Sequence, residues 1–306
     1  MPREIKNMAA SVHDRLLNSS RASGRPFQEM LEYYAMERFL YRLSVSPHTG
    51  RFVLKGGLML PIWGAAVSRP TRDIDLLGHT ANEVTAITRI VQEICRQQVA
   101  DDGIVFDEAS CRGEMINPEK EYTGVRVRFT AHLGQARIPM QIDVGFGDPI
   151  VPGEVEAEYP TMLGHPPLKV RGYTRESVIA EKLEAMVKRG EIMSRTKDFL
   201  DIWLLSRQYE FSGEVLAEAI QTTFEKRDTP IRPDPICLTE EFAATQERQE
   251  AWQALLETSR ITDAPGDFPD IVEVIRAFLK PVLDAIASSR PFVAHWVPPG
   301  PWQVKG

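Results

Sequence analysis

RFVLKGG at 51–57 and RDIDLLG at 72–78 are two short apolar runs, and the residues at their ends decide how the chain is read. The first run closes on Gly56-Gly57, and after fifteen intervening residues stands Asp73-Ile74-Asp75. On a strand, residues two apart project from one face. Asp73 and Asp75 then aim two carboxylates at one point while Ile74 anchors the strand in a core. Two oxygen donors on a rigid edge suit a hard divalent cation that keeps waters and grips nucleotide phosphates, as magnesium does. Paired glycines let backbone N–H groups approach a phosphate that a side chain would obstruct. Without the glycines, the same acidic pair reads as the solvent face of an edge strand.

A third carboxylate comes from MQIDVGFGD at 140–148, where Asp143 holds the polar parity of an apolar strand. It completes a triad, sharing the metal or accepting the proton of an attacking hydroxyl, or else it is an outward-facing strand residue. Asp148 reads as a loop residue. Around these motifs, helical periodicity covers 4–18, 27–43 and 80–99, the last with Thr80 as cap and Glu83 three residues on. β-like alternation covers 104–111, 122–133 and 137–146. One helix against a mostly β region predicts an α+β sheet domain with N-terminal helices.

The Pro- and Gly-rich stretch VPGEVEAEYPTMLGHPPL at 151–168 is the expected domain boundary, with a catalytic domain over 1–155 and a mostly helical one over 156–306. Helices are predicted at 175–189, ended by Gly190, and at 196–208, 213–226, 239–259 and 270–287. The tail PFVAHWVPPGPWQVKG is too proline-rich for a regular element and either packs through Trp296 and Trp302 or frays. In the first of these helices Lys182 sits at the edge of the stripe Ile179, Leu183, Met186 and Val187, where its ammonium reaches along the surface. In the second, Asp198 and Asp201 stand three apart near a helix N-terminus, whose partial positive charge favours them. A capping carboxylate and a surface lysine are the plainer alternative.

The 306 residues carry 36 Lys and Arg against 43 Asp and Glu, a net charge of −7, which excludes nucleic-acid binding through overall basicity. The charge is unevenly spread: residues 1–100 carry +4, 101–150 carry −4, 151–200 balance, and 201–306 carry −7. Within the balanced block, 171–197 carries a local +3. Any anionic partner is therefore expected at the first hundred residues and this stretch. Cys95, Cys111 and Cys237 show no CxxC spacing, so neither a zinc knuckle nor a disulfide framework is expected. With no long apolar run and no signal-peptide core, the expectation is a cytoplasmic chain without a membrane partner.

In order and spacing, VLKGG (53–57), RPTRDIDLL (69–77), MQIDVGFGD (140–148), IAEKLEAMVKRG (179–190) and RTKDFLDIW (195–203) resemble the AbiEii nucleotidyltransferase toxins, including the MenT group. The likeness runs from about residue 7 to about residue 208. It implies a DNA polymerase β-like nucleotidyltransferase fold followed by a helical C-terminal domain. It also implies transfer of nucleotides from a nucleoside triphosphate, with magnesium, to the 3′ end of tRNA, and a cognate antitoxin as partner. On the same basis Gly56 and Gly57 match the phosphate-approaching turn, and Asp73 and Asp75 match the metal pair. Arg72 falls with the nucleotide-binding residues. Lys182 matches the lysine that holds triphosphate, and Asp198, or Asp201, the later essential acidic block. Gly57 stands where the wider superfamily often has Ser, which removes a hydroxyl from the turn. Either Asp143 or Asp198 is the base. Nucleotidylation of a protein hydroxyl, and a non-catalytic nucleotide- or RNA-binding module, are the alternatives.

Overall fold

The computed structural model describes residues 7–64, 71–116, 124–189, 196–259 and 261–304, with the side chain of Arg189 left aside. The chain divides into two compact units. Unit 1 is Met1–Gly64, Pro70–Gly147 and Val155–Gly172, and unit 2 is Ala65–Arg69, Asp148–Glu154 and Tyr173–Gly306. The fold is mixed α+β, as expected from the alternation in the first half and the helical periodicity in the second.

Unit 1 begins with helices α1 (Met8–Ser23) and α2 (Phe27–Val45). The Asn7 side chain caps α1 by accepting the Ala10 N–H at 3.0 Å. The helix runs on past residue 18, where the predicted helix ends, and stops at Gly24, where φ is +67°. Strand β1 (Phe52–Lys55), the short helix α3 (Met59–Ile62), β2 (Ile74–Gly78), α4 (Val84–Cys95), β3 (Ile104–Ile116), β4 (Gly124–Leu133) and β5 (Ala136–Phe146) follow. Helix α4 starts at Val84 behind Glu83, with no side-chain cap bond, so the predicted Thr80 cap is corrected. Tyr122 and Thr123 of the predicted strand lie outside the described residues.

The stretch expected as a Pro- and Gly-rich connection holds β6 (Val155–Tyr159) and leads into β7 (Leu168–Gly172). Alternation over five residues is too short to stand out among prolines and glycines. The strands form one sheet in the order β3-β4-β5-β2-β1-β7-β6. β5 and β2 pair in parallel, as do β1 and β7, and the other neighbours are antiparallel.

Alternation sorts β4 into two faces. Val125, Val127, Phe129 and Ala131 are buried, and Phe129 meets Phe39 of α2 and Phe106 of β3 at ring-centroid distances of 5.6 and 5.9 Å. On the other face Arg126, Thr130 and His132 are half-buried and Arg128 is exposed. Helix α2 is buried nearly all round and carries charge into the core. Arg42 donates to both Asp102 oxygens at 2.7 and 3.0 Å and to the Ile104 carbonyl at 3.2 Å, which ties the start of β3 to the helix.

Unit 2 contains α5 (Arg175–Arg189), α6 (Thr196–Gln208), β8 (Phe211–Ser212), α7 (Gly213–Lys226), α8 (Glu240–Ala243), α9 (Gln246–Thr258), α10 (Phe268–Ala287), β9 (Ala294–Trp296) and β10 (Trp302–Val304). The single helix predicted at 239–259 is two, with Thr239 accepting the Phe242 N–H at 3.2 Å to start the first. Gly190 lies outside the described residues. The proline-rich tail does form regular structure, correcting the expectation: β9 joins β8 and β10 in a three-stranded sheet. Two indoles hold it. Trp296 donates to the Ser206 carbonyl and Trp302 to the Phe278 carbonyl, each at 2.7 Å. Among the described residues no helix is long and apolar enough to cross a membrane.

Candidate active site

In unit 1 the glycine turn and the acidic strands meet. β1 ends at Lys55, and Gly56 turns the chain at φ +70°, a left-handed conformation that glycine adopts without steric cost. A Cβ on Gly56 would collide with the Asp75 carboxylate, and one on Gly57 with the Thr71 hydroxyl. Gly56 therefore needs glycine for space and for backbone freedom, and Gly57 for space. Thr71 is itself held by its N–H, which donates to the Tyr33 hydroxyl of α2 at 3.0 Å. The turn lacks the hydroxyl a serine at 57 would bring, yet a hydroxyl stands beside it, carried by Thr71.

Asp75 lies on β2, and Asp73 on the bend just before it, one residue earlier than the predicted strand required. Parallel pairing sets Asp75 directly beside Asp143 of β5. Asp73, Asp75 and Asp143 each offer an oxygen, all within 4.8 Å of one another, and each residue is half-buried. An all-carboxylate set of this size fits a hard divalent cation. Arg72 is exposed beside Asp73.

Arg126 is the residue the sequence analysis missed. Its Nε donates to Asp143 Oδ1 at 2.8 Å and its Nη2 to Oδ2 at 2.6 Å. This bond to Asp143, with the nearby charges of Asp143, Glu114 and Asp73, holds the guanidinium pKa above its usual value against the opposing effect of burial. The VRVR alternation at 125–128 signalled an outward arginine, but only strand register sets it opposite Asp143.

In unit 2, Lys182 of α5 is no surface lysine. Its Nζ lies 2.9 Å from Asp198 Oδ1 and 2.6 Å from Asp201 Oδ2, both on α6. The three side chains are 14, 10 and 1% exposed respectively, so both aspartates are members of one charged cluster. A second cluster in this unit was also missed. Arg227 lies 2.9 Å from Asp148, 3.2 Å from Glu181 and 2.9 Å from Glu184, which makes the expected loop residue Asp148 a buried ion-pair partner.

The family model described as nucleotidyl transferase AbiEii toxin, type IV TA system, matches residues 38–277. The chain belongs to the AbiEii nucleotidyltransferase toxin family. Its matched region contains the glycine turn, the three carboxylates, Lys182 and Asp198, the residues on which the resemblance was drawn. No curated protein matches the chain. Among solved structures, a candidate nucleotidyltransferase from H. pylori aligns at 14% identity with a TM-score of 0.45, covering 87% of this chain and 99% of that one. JHP933 from Helicobacter pylori aligns at 15% identity and 0.44, covering 86% and 96%.

Proposed function

We propose that this AbiEii chain is a magnesium-dependent enzyme that transfers nucleotides from a nucleoside triphosphate to the 3′ end of tRNA and so blocks translation. The observation that carries the reading is the meeting of Asp73, Asp75 and Asp143 beside a turn that excludes side chains at 56 and 57. A magnesium ion bound there would orient the α-phosphate and neutralise charge as pyrophosphate leaves.

The chain's own residues do the rest. Gly56 and Gly57 leave backbone N–H groups open to the triphosphate, with Arg72 adding charge. Asp143 or Asp198 takes the proton of the attacking 3′ hydroxyl. Lys182 holds the β and γ phosphates, a role drawn from the resemblance and supported by a lysine kept half-buried between two carboxylates rather than in solvent. The domains assigned are a catalytic one over 1–155 and a helical one over 156–306 contributing Lys182 and Asp198. A cytoplasmic location and a cognate antitoxin complete the reading.

For the acceptor, the basic stretch 171–197 offers less than its charge suggests. Arg171 donates to the Gly50 carbonyl at 2.8 Å and Lys188 to the Arg227 carbonyl at 2.7 Å, while Arg175 stacks on Tyr209 at 4.2 Å. Arg195 lies outside the described residues. The exposed Arg112, Arg128 and Arg137 of β3, β4 and β5 share one face of the sheet with Asp143. Arg112 and Arg128 are themselves engaged, by the Ala109 and Cys111 carbonyls and by Glu114, and the three together offer a polyanion a basic row on that face.

The test is incubation with magnesium, each of the four labelled triphosphates and total tRNA. Label is expected in RNA and is expected to vanish in Asp75→Ala. Label in protein instead would favour nucleotidylation of a hydroxyl side chain, and no label in any acceptor would sink the enzymatic reading.

A further inference from the structure

One row of directly paired residues crosses five strands of the unit 1 sheet: Glu114 of β3, Arg126 of β4, Asp143 of β5, Asp75 of β2 and Lys55 of β1. Paired residues share a face, so the acidic centre of this row is flanked on both sides by a cation carried by the sheet itself. On the β4 side the contact is a two-point fork. Arg126 takes both oxygens of Asp143, and Gln141 adds a third donor to Oδ2 at 3.4 Å. These are the oxygens that Asp143 has to offer to the cluster with Asp73 and Asp75.

We propose that Arg126 is an internal competitor for the third carboxylate: it occupies Asp143 in the cation-free protein and yields it when a divalent cation binds. The inference rests on the reading of the three carboxylates as a cation site. Three carboxylates this close repel one another, and a guanidinium on one of them relieves that repulsion while no cation is present. Once a cation sits on the carboxylates, the same guanidinium is a like charge beside it, and the pair is no longer favoured.

Arg126 also has somewhere to go. Its side chain is 28% exposed, and Glu114 stands opposite it on β3, held in the cation-free state by Arg128. The two arginines and two carboxylates along β3, β4 and β5 thus form an exchangeable set rather than a buried lock. Arg126 is a positioning residue in this scheme, acting through Asp143.

Manganese is the probe, titrated without nucleotide into the full chain and followed by the loss of the free-ion electron paramagnetic resonance signal. Arg126→Gln is expected to bind Mn2+ roughly tenfold tighter than wild type, and Arg126→Lys, which keeps the charge without the fork, between the two. Arg89→Gln, which removes an exposed charge of the same unit whose partner is Glu93, is expected to stay within about twofold of wild type.

Equal or weaker binding by Arg126→Gln, with wild-type binding abolished by Asp75→Ala, would overturn the competition and leave the cation site standing. An equal gain in Arg89→Gln would overturn it too, as a general effect of surface charge. Failure of both wild type and Arg126→Gln to bind Mn2+, or binding indifferent to Asp75→Ala, would instead reject the cation site itself.

Discussion

Glu37 of α2 is 1% exposed and has one carboxylate oxygen, Oε1, without a hydrogen-bond partner. The other accepts the Met162 N–H. Burial pushes its pKa up from 4.5 to about 7, against the lowering effects of that hydrogen bond and of Arg38. A raised folded-state value means that the folded protein holds the proton more tightly than the unfolded chain. The stabilisation is therefore complete below pH 4.5 and is lost as pH rises through about 7. The loss amounts to roughly 3 kcal/mol. Glu37→Gln keeps an acceptor for Met162 and removes the ionisation. Denaturant unfolding at pH 5 and pH 8 is expected to show wild type losing most of that amount while the variant changes little. A wild type equally stable at both values would contradict it. Nothing in YAMERFL at 34–40 announced such a residue, because a glutamate within an apolar stripe reads as surface until the neighbouring strands cover it.

At the scale of elements, the charged partners of α2 act as a staple. Asp102 is 4% exposed and lies against Arg42 and Arg38, which are 6 and 3% exposed. It also accepts the Ile104 N–H at 3.1 Å, so one carboxylate joins the helix to the first residue of β3. Asp102→Ala takes the carboxylate from Arg42 and leaves Arg38 with Glu37 alone, 3.7 Å away, and its cost is expected to be about 3–5 kcal/mol, read as a fall in the urea midpoint at unchanged slope. A loss under 1 kcal/mol would mean that water reaches the arginines.

The long alternating strands β4 and β5 and the helices α2 and α10 were legible because each repeats its period over ten or more residues. The elements that were not legible are short. β6 and β7 have five residues each, and β9 and β10 three. Such strands exist because a neighbour supplies their hydrogen bonds, which no local pattern records.

At the scale of the whole molecule, a net charge of −7 makes any RNA binding a matter of local arginines. The affinity for tRNA is expected to fall with salt, and neutralising Arg112, Arg128 and Arg137 together is expected to reduce the log–log slope by about two, near 0.7 for each lost phosphate contact. Filter binding between about 50 and 200 mM salt measures it. An unchanged slope would place the acceptor elsewhere.

The sequence by itself determined the fold class and pointed to the glycine turn and to Asp73 and Asp75, with Asp143 as a candidate third, since periodicity and residue chemistry are local properties. It also carried the family, through five motifs in fixed order. Tertiary structure alone decided that Asp143 stands beside Asp75, that Arg126 covers it, and that Lys182 lies between Asp198 and Asp201. The physical reason is pairing. Strand order and register bring together residues some seventy positions apart, and the packing of α5 on α6 turns an edge lysine inward. Neither is written in the period of any one segment.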